Sequence, residues 1–338
     1  MAAFSDQLLV VAILAYLVAM VCHAAEYAFG NRGAVGRAAT RDLVAVGAGS
    51  AGGVPAGGVP AGGVPVGGVP AGGASAGGAS AGGPASRAAL AGRAAVLALV
   101  VAALAHLGCL VTRGVDAGRV PWGNMYEFVL AVTFVGSAAW LVVLVRRPTL
   151  RHLGLFVALA EVVLLGLAGM VLYTQVAPLV PALNSYWLVI HVTAAVIASG
   201  VFLVGFVAAA MYLIRLGYDR GRPGFPYTLG ARVPNADALE RLTFRLHAFA
   251  FPIWTFAVIA GAIWAEAAWG RYWGWDPKET WAFISWVVYA GYLHARATAS
   301  VRRSTAAWIA VVGWATMLMN LFGVNLFISG LHSYADVD

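Results

Sequence analysis

A stretch toward the C-terminus concentrates aromatic and charged residues around two glycines. It reads WGRYWGWDPKETW over residues 269–281 and holds four Trp and one Tyr in thirteen residues. The rings offer flat apolar surface to a planar partner, while Gly270 and Gly274 let the backbone turn tightly or approach a ligand. Asp276 and Pro277 suit a turn or the start of a helix. The pattern predicts a platform for a flat macrocycle with anionic edges.

Haem is a macrocycle of this kind, and its iron binds imidazole. Of the seven histidines, His191 and His332 lie at ends of apolar segments, on the same side of the membrane as the tryptophan stretch. Two such residues converging on one aromatic loop favour iron ligation over an ordinary interfacial role. His294 lies about 20 Å along its predicted span, a depth at which ionisable groups are costly and usually functional. Four others are weaker candidates or are assigned no chemistry: His23, His106, His152 and His247.

Three interpretations remain open at this point. The tryptophans could form an interfacial belt, because Trp and Tyr gather at membrane surfaces without further function. The chain would then be a multi-span transporter of another small substrate. It could also be a di-haem b-type electron-transfer subunit, but such sites usually pair histidines at matching depth inside the bundle. A belt requires neither the WDPKE core nor two glycines, so we favour binding of haem.

The rest of the chain predicts the helices that position these residues. Apolar residues make up 61% of the 338 residues and charged residues 10%, which is a membrane composition. The predicted fold class is an all-α polytopic bundle of about eight spans, each long enough for a bilayer of about 30 Å at about 1.5 Å per residue. The first apolar run follows Asp6 without a positive charge, so we expect a retained span and not a secretory signal. The predicted spans are 8–28, 92–112, 126–145, 153–173, 187–214, 248–266, 280–298 and 305–328.

The positive charges divide unequally between alternate connections. One side of the predicted bundle carries 17 Lys and Arg residues and the other carries four, which are Arg113, Arg119, Arg271 and Lys278. The positive-inside rule then places the tryptophan connection and both termini outside the cytoplasm of a bacterial plasma membrane. A carboxylate of the bound macrocycle would bind one of these four cations or backbone N–H donors. Because no basic run is interleaved with aromatics, the net charge of +7 predicts no nucleic-acid partner.

The chain is predicted to have three parts. Residues 1–30 form the first span, residues 31–90 a cytoplasmic Gly/Pro/Ala-rich flexible linker, and residues 91–338 the haem-handling membrane domain with its external loop at 267–281. Residues 51–83 repeat with a five-residue period rich in Gly and Pro. Gly is entropically costly to order and Pro lacks an N–H, so this tract is expected to be flexible.

Two smaller features complete the pattern. Residues 235–247 place apolar residues at helical spacing among arginines, which predicts a short surface helix leading into the sixth span. Cys22 and Cys109 lie in separate apolar segments, far apart in sequence. We expect both to be packing residues and not a redox or metal pair.

With these residues assembled, the sequence resembles the CcsA-like (ResC-like) cytochrome c biogenesis proteins of system II. They belong to a haem-handling superfamily named for its tryptophan-rich WWD domain. The stretch WGRYWGWDPKETW is similar to that family's signature almost residue for residue, and likeness runs from about Pro121 (PWGNMYEF) to Tyr334. The first span and the Gly-Pro repeat lie outside it. The resemblance implies a helical membrane bundle with the tryptophan loop and two external histidines around haem.

The resemblance also implies roles for individual residues. His191 in YWLVIHV looks like the first external axial ligand of haem iron, and His332 in GLHSY looks like the second. His294 in YLHAR resembles the family's intramembrane histidine, which binds haem transiently on its way out. The family's motif does not demand His247. The haem-binding loop would be formed by Trp269, Trp273, Trp275 and Asp276.

The same resemblance implies cargo and partners. Haem b would be bound as a substrate in transit within the membrane lipid. A ResB-like (Ccs1-like) membrane protein would supply another intramembrane histidine, and apocytochrome c would bring its CxxCH segment. A thiol-reducing thioredoxin-like protein would serve the same pathway. The chain would then be a subunit of a cytochrome c haem lyase (synthase) complex.

The charge asymmetry predicts the orientation of the chain. A cysteine introduced as Asp338→Cys should react with a membrane-impermeant maleimide in intact spheroplasts, because the positive-inside rule places this terminus outside. A cysteine in the repeat, Ala51→Cys, is the matched control and should react only after permeabilisation. The reverse pattern would show that the orientation is wrong.

Overall fold

The computed structural model describes residues 2–30, 84–179 and 183–332, and every regular element within these ranges is helical. Seven of the described helices are long and apolar enough to cross a membrane. An eighth, Pro277–Ala297, has 21 residues and therefore spanning length, but it is less apolar than the others. The predicted all-α polytopic bundle is confirmed, with seven clear spans where about eight were expected.

The helices follow the predicted spans closely. Beyond the last long helix, the chain passes through a π-helical turn, Met319–Gly323, and a short helix, α9 (Val324–Phe327). Short 3-10 turns occupy Pro148–Leu153 and Tyr227–Arg232. The long helices are α1 (Ala2–Phe29), α2 (Pro84–Ala117), α3 (Met125–Arg146), α4 (Gly154–Val171), α5 (Tyr186–Asp219), α6 (Ala236–Trp269), α7 (Pro277–Ala297) and α8 (Arg303–Leu318).

Two boundaries differ from the sequence prediction. Helix α2 begins at Pro84, so the last part of the predicted 31–90 linker is helical; the repeat itself and Asp338 lie outside the described residues. Helix α6 is continuous from residue 236, so no separate surface helix exists at 235–247. The Asn235 side chain accepts a hydrogen bond from the Ala238 N–H and caps the whole helix, because the apolar face of the first turns continues into that of the span.

The connections between helices define two ends of the bundle. The tryptophan end consists of residues 118–124, 172–179, 270–276 and 328–332, and the opposite end consists of residues 147–153, 220–235 and 298–302. The four cations that sequence analysis grouped together all lie at the tryptophan end, as the helix directions require. The assignment of the ends to compartments remains a prediction.

Helix α5 is the centre of the bundle. Of its most apolar 18-residue window, 83% is buried. Small residues such as Ala198 and Gly200 let neighbouring helices approach closely. Phe202 stacks on Tyr289 of α7 with ring centroids 3.8 Å apart, and α5 also packs along α6 and α3. The first turns of this rigid helix carry His191, so its ring is fixed at the tryptophan end.

A buried carboxylate fixes the connection between α2 and α3. Glu127 is fully buried and accepts hydrogen bonds from Arg113 Nε (2.9 Å), Arg119 Nη1 (2.7 Å) and the Gly123 N–H (2.8 Å). Its own N–H is capped by Asn124 Oδ1 at 2.9 Å. These bonds connect the last turns of α2 to the start of α3, and they shape the loop between the helices.

Neutralising this carboxylate should destabilise the tryptophan end. Glu127→Gln leaves buried guanidinium groups without their counter-ion, which typically costs about 3–5 kcal/mol. We expect a clear fall in the thermal unfolding midpoint of the purified protein in detergent. The control is Asp219→Asn, because Asp219 pairs with Arg215 on the surface and such pairs contribute only about 0–1 kcal/mol. Equal thermal unfolding midpoints for both variants would show that Glu127 does not stabilise the tryptophan end.

Candidate functional site

Two adjoining cavities open at the tryptophan end, between α3, α5, α6, α7 and the segment after α8. The space between their walls, including the part open to solvent, is about 920 Å³ and about 650 Å³. The walls are mostly aromatic and aliphatic, as in sites for large apolar ligands. The structure thus places the two predicted axial histidines in one cavity system. Residues that line both cavities are Phe128, His191, Trp264, Lys278, Leu321 and His332.

His191 is held in a defined orientation by α6. Its Nδ1 forms a hydrogen bond with the backbone oxygen of Ala257 at 2.8 Å, and its ring lies parallel to that of Trp264 with centroids 6.2 Å apart. A Cβ at Gly261 would come within 2.7 Å of the ring, so only glycine permits this approach. Engagement of Nδ1 leaves Nε2 as the nitrogen through which His191 could coordinate a metal.

His332 is oriented by the helix cap of α7. Its Nδ1 lies 3.1 Å from Asp276 Oδ1, and its ring meets that of Trp269 edge-on at 5.0 Å. A Cβ at Gly330 would lie 2.7 Å from Asp276 Oδ2, so glycine lets segment 328–332 approach the carboxylate. The contact with Asp276 fixes the Nδ1 side of the ring, as carboxylates do for histidines that coordinate metals.

The Asp276 carboxylate is suited to act as an acceptor. Burial opposes its ionisation, but the hydrogen bond with His332 and the backbone donor at Leu331 together hold the pKa of Asp276 below its ordinary value. A lowered pKa keeps the carboxylate charged throughout the neutral range, and its contribution to stability is lost only as pH falls through that pKa. A permanently charged acceptor fixes the tautomer of its histidine.

A second carboxylate shapes the loop itself. Glu279 Oε2 accepts hydrogen bonds from the Gly274 N–H (2.8 Å) and the Asp276 N–H (3.0 Å), closing the loop onto the first turn of α7. Between them, Trp275 has a φ of 58°, which is unusual for a bulky residue. Such backbone persists only where surrounding contacts impose it, and it is most frequent at functional sites.

The structure separates the predicted loop tryptophans. Trp269 and Trp273 line the larger cavity. Trp275 lines neither cavity and is 64% exposed, with its ring edge-on to Trp273 at 5.7 Å. The structure therefore does not bring Trp275 to the site.

Sequence analysis missed Trp264, which contacts both histidines. It lies parallel to His191 and edge-on to His332 at 5.9 Å, and it lines both cavities. Its only sequence signal was a position near the end of an apolar run that leads to Trp269. That signal does not distinguish it from a core aromatic.

His294 lies far from this cavity. It occupies the last turn of α7, about 25 Å along the helix from Pro277, and its side chain is exposed on the surface of the bundle. One ligand cannot contact it together with His191 and His332. His294 is therefore separated from the cavity histidines along the bundle, and its side chain is accessible from outside the chain. Its depth in a membrane stays a prediction.

The other four histidines line neither cavity. His106 Nδ1 lies 3.4 Å from Tyr16 Oη, and His23 Nδ1 lies 3.5 Å from Glu26 Oε2. His247 bonds the Thr243 carbonyl within α6. His152 lies beside Tyr27. Within the described residues, no group of three or more His, Cys, Asp or Glu side chains is arranged to hold a metal ion.

Fold and cavity together define a multi-pass membrane protein with a two-histidine aromatic site. The family model for cytochrome c assembly protein matches residues 122–332, which include the tryptophan loop and both cavity histidines. The chain belongs to this family.

The chain is also similar to curated relatives that carry the name cytochrome c biogenesis protein CcsA. The protein from Guillardia theta is 34% identical, covering 67% of this chain and 80% of its own length. That from Chlamydomonas reinhardtii is 35% identical, covering 67% of this chain and 64% of its own length. The protein from Synechococcus sp. (strain JA-3-3Ab) is 33% identical over 70% of this chain and 82% of its own. These relatives support a membrane protein of cytochrome c biogenesis.

The contact between His332 and Asp276 predicts a chemical reactivity. In the ligand-free protein, Asp276→Ala should accelerate carbethoxylation of His332 by diethyl pyrocarbonate several-fold. The reason is that the His332 ring loses its hydrogen-bond acceptor and segment 328–332 loses the contact that holds it in place. Asp276→Asn should have a smaller effect, since the amide oxygen still accepts a hydrogen bond. The rate would be followed by mass spectrometry of the peptide, with His294 as the internal reference. An unchanged His332 rate in both variants would show that Asp276 does not hold the ring.

Proposed function

We propose that the chain is the haem-handling subunit of a system II cytochrome c synthase in a bacterial plasma membrane. It exports haem b, or presents it, at the external face for covalent attachment to apocytochrome c. The observation that carries this proposal is the pair His191 and His332 in one aromatic cavity, each with Nδ1 committed to an acceptor. Such oriented imidazoles are the usual protein ligands of haem iron.

In this proposal haem is a substrate, held between the Nε2 atoms of His191 and His332. Trp269 and Trp273 would pack against the macrocycle, since both line the larger cavity. Two neutral imidazoles favour a low-spin iron and could keep it reduced until use. Ligation must still be exchangeable, because the histidine of the acceptor protein replaces one of them.

Attachment joins the cysteines of an apocytochrome CxxCH segment to the two vinyl groups of haem. Each thiol S–H adds across a vinyl C=C bond, so that a C–S bond forms and the hydrogen goes to the other vinyl carbon. No electron is gained or lost in this addition, but both cysteines must be reduced. This is the role we propose for a thioredoxin-like protein in the pathway.

His294 would bind haem earlier, at the opposite end. Its exposure on α7 would let an iron ligand from a second protein approach the same haem. We propose a ResB-like (Ccs1-like) membrane protein as that partner. Haem would then move from this entry position to the external site.

Replacement of single histidines tests this assignment. Each of His191→Ala and His332→Ala should open one axial position, and added imidazole should fill it and partly restore cytochrome c output. His294→Ala should reduce the haem that reaches the external site, and imidazole should restore less. The measurements are the haem spectrum of the purified complex with its ResB-like partner, and the yield of a holocytochrome c reporter.

A matched control is His247→Ala, which removes a buried histidine of α6 from the core. It should lower protein level without producing an imidazole-dependent spectrum. If the wild-type protein lacks a Soret band, the transporter alternative is favoured. Wild-type spectra and output in all three ligand variants would overturn the axial assignment.

A further inference from the structure

Lys278 occupies an unusual position for a charged side chain. It lies in the first turn of α7 and lines both cavities together with the two histidines. Its Nζ donates hydrogen bonds to the backbone oxygen of Asn320 at 3.0 Å and to Asn325 Oδ1 at 2.9 Å. Of the Lys and Arg residues in the described ranges, it alone lines these cavities.

The ammonium group lacks an anionic partner within the described part of the chain. Both of its hydrogen-bond acceptors are neutral, and no carboxylate of the residues that the structure describes lies within ion-pair distance. The two neighbouring carboxylates are committed elsewhere, Asp276 to His332 and Glu279 to the backbone of the loop. An ammonium has three donors, so one N–H remains for a ligand. A cation in an apolar cavity favours an anion beside it.

Two of the four cations at the tryptophan end are already engaged by a carboxylate of the fold. Arg113 and Arg119 share the buried carboxylate of Glu127, and each also donates to a backbone oxygen of the connection after α4. Neither lines the cavity wall. Both guanidinium groups are therefore held by acceptors within the fold, away from the cavities.

The third cation, Arg271, packs against its own loop. The Arg271 guanidinium lies across the backbone of Gly274, where an added Cβ would overlap it, and Arg271 lines neither cavity. Of the four cations that sequence analysis left as alternatives, Lys278 is the one that can reach a ligand bound between the histidines.

We propose that Lys278 binds a propionate carboxylate of haem at the external site, an inference that rests on the proposed function. The site would consist of the Lys278 ammonium, with Asn320 and Asn325 holding it in place. A charge-assisted hydrogen bond of this kind is stronger than a neutral one and has a defined direction. Lys278 is therefore a residue for positioning haem, separate from the ligands of the iron.

Such a contact would set the rotation of the macrocycle. Two axial bonds leave haem free to turn about the line between His191 and His332, so ligation alone does not determine which edge faces the opening. The propionates and the vinyl groups lie on opposite halves of protoporphyrin. With a propionate bound at Lys278, the vinyl edge would face away from the start of α7.

The competing explanation is that Lys278 only anchors the segment after α8. Its bonds to Asn320 and Asn325 connect α7 to the π-helical turn and to α9, which precede His332. Loss of this anchor would disturb His332. It would therefore weaken the binding of any haem, whether or not its propionates are charged. A test must therefore vary the ligand as well as the protein.

The experiment measures binding of two ligands to the full-length, haem-free chain in one detergent. The ligands are haem and its dimethyl ester, in which both propionates are neutral and the iron and vinyl groups are unchanged. The variants are wild type, Lys278→Met, Lys278→Arg and the control Arg271→Met. Dissociation constants would be taken from the Soret band, and each variant is compared with wild type for the same ligand. That comparison cancels the different partition of the two ligands into detergent.

For haem, Lys278→Met should raise the dissociation constant about 10- to 100-fold, the size expected for one hydrogen bond to a charged group. For the dimethyl ester, the same variant should bind as wild type does, with an unchanged bis-histidine spectrum. Lys278→Arg should retain most of the preference for haem over the ester, because the positive charge remains. Arg271→Met should resemble wild type with both ligands.

Three results would overturn the proposal. Equal weakening of haem and ester by Lys278→Met would identify a structural anchor. Unchanged binding of both would show that Lys278 does not contact the ligand. If Arg271→Met lost the preference for haem over the dimethyl ester and Lys278→Met kept it, the propionate would be assigned to Arg271. If wild type binds neither ligand, the proposed function itself fails, and that outcome is distinct from the other three.

Discussion

A peptide backbone inside a bilayer must satisfy its own N–H and C=O groups, and the described spanning segments of this chain do so as helices. Irregular backbone that can surround a ligand is therefore confined to the ends of the bundle. In this chain, segments 118–124, 270–276 and 328–332 lie at the same end, around the first turns of α5 and the last turns of α6. The cavities form where these segments meet.

Each irregular segment is held by a carboxylate, because it lacks the regular hydrogen bonds of a helix. Glu127 holds the first segment through arginines and the Gly123 N–H, and Glu279 holds the second through the Gly274 and Asp276 N–H groups. Asp276 then holds the third through His332. Since Glu279 fixes the backbone of Asp276, which fixes His332, the geometry of a proposed iron ligand depends on the same cap that starts α7.

Much of this organisation could be predicted from the sequence. Apolar length predicts the spans, and alternation of the connections assigns His191, His332 and the tryptophan stretch to one end. Trp264 could not be predicted, because its role depends on which rings face it across two helices. Trp275 was included because it neighbours Trp273 in sequence. Its left-handed backbone and exposed ring depend on the folded loop, which periodicity does not describe.

The two cavity histidines differ in how much backbone would have to move for their rings to leave the cavity. His191 lies on α5, and neighbouring helices pack against several faces of α5. Withdrawal of the His191 ring would therefore require movement of a central helix. His332 follows α9 on an irregular segment, and its Nδ1 lies 3.1 Å from Asp276 Oδ1. Opening a short irregular segment breaks fewer packed contacts than moving a core helix. In the proposed function, a site that holds haem firmly and also releases it would gain from this asymmetry, because His332 could leave the iron while His191 kept it in place.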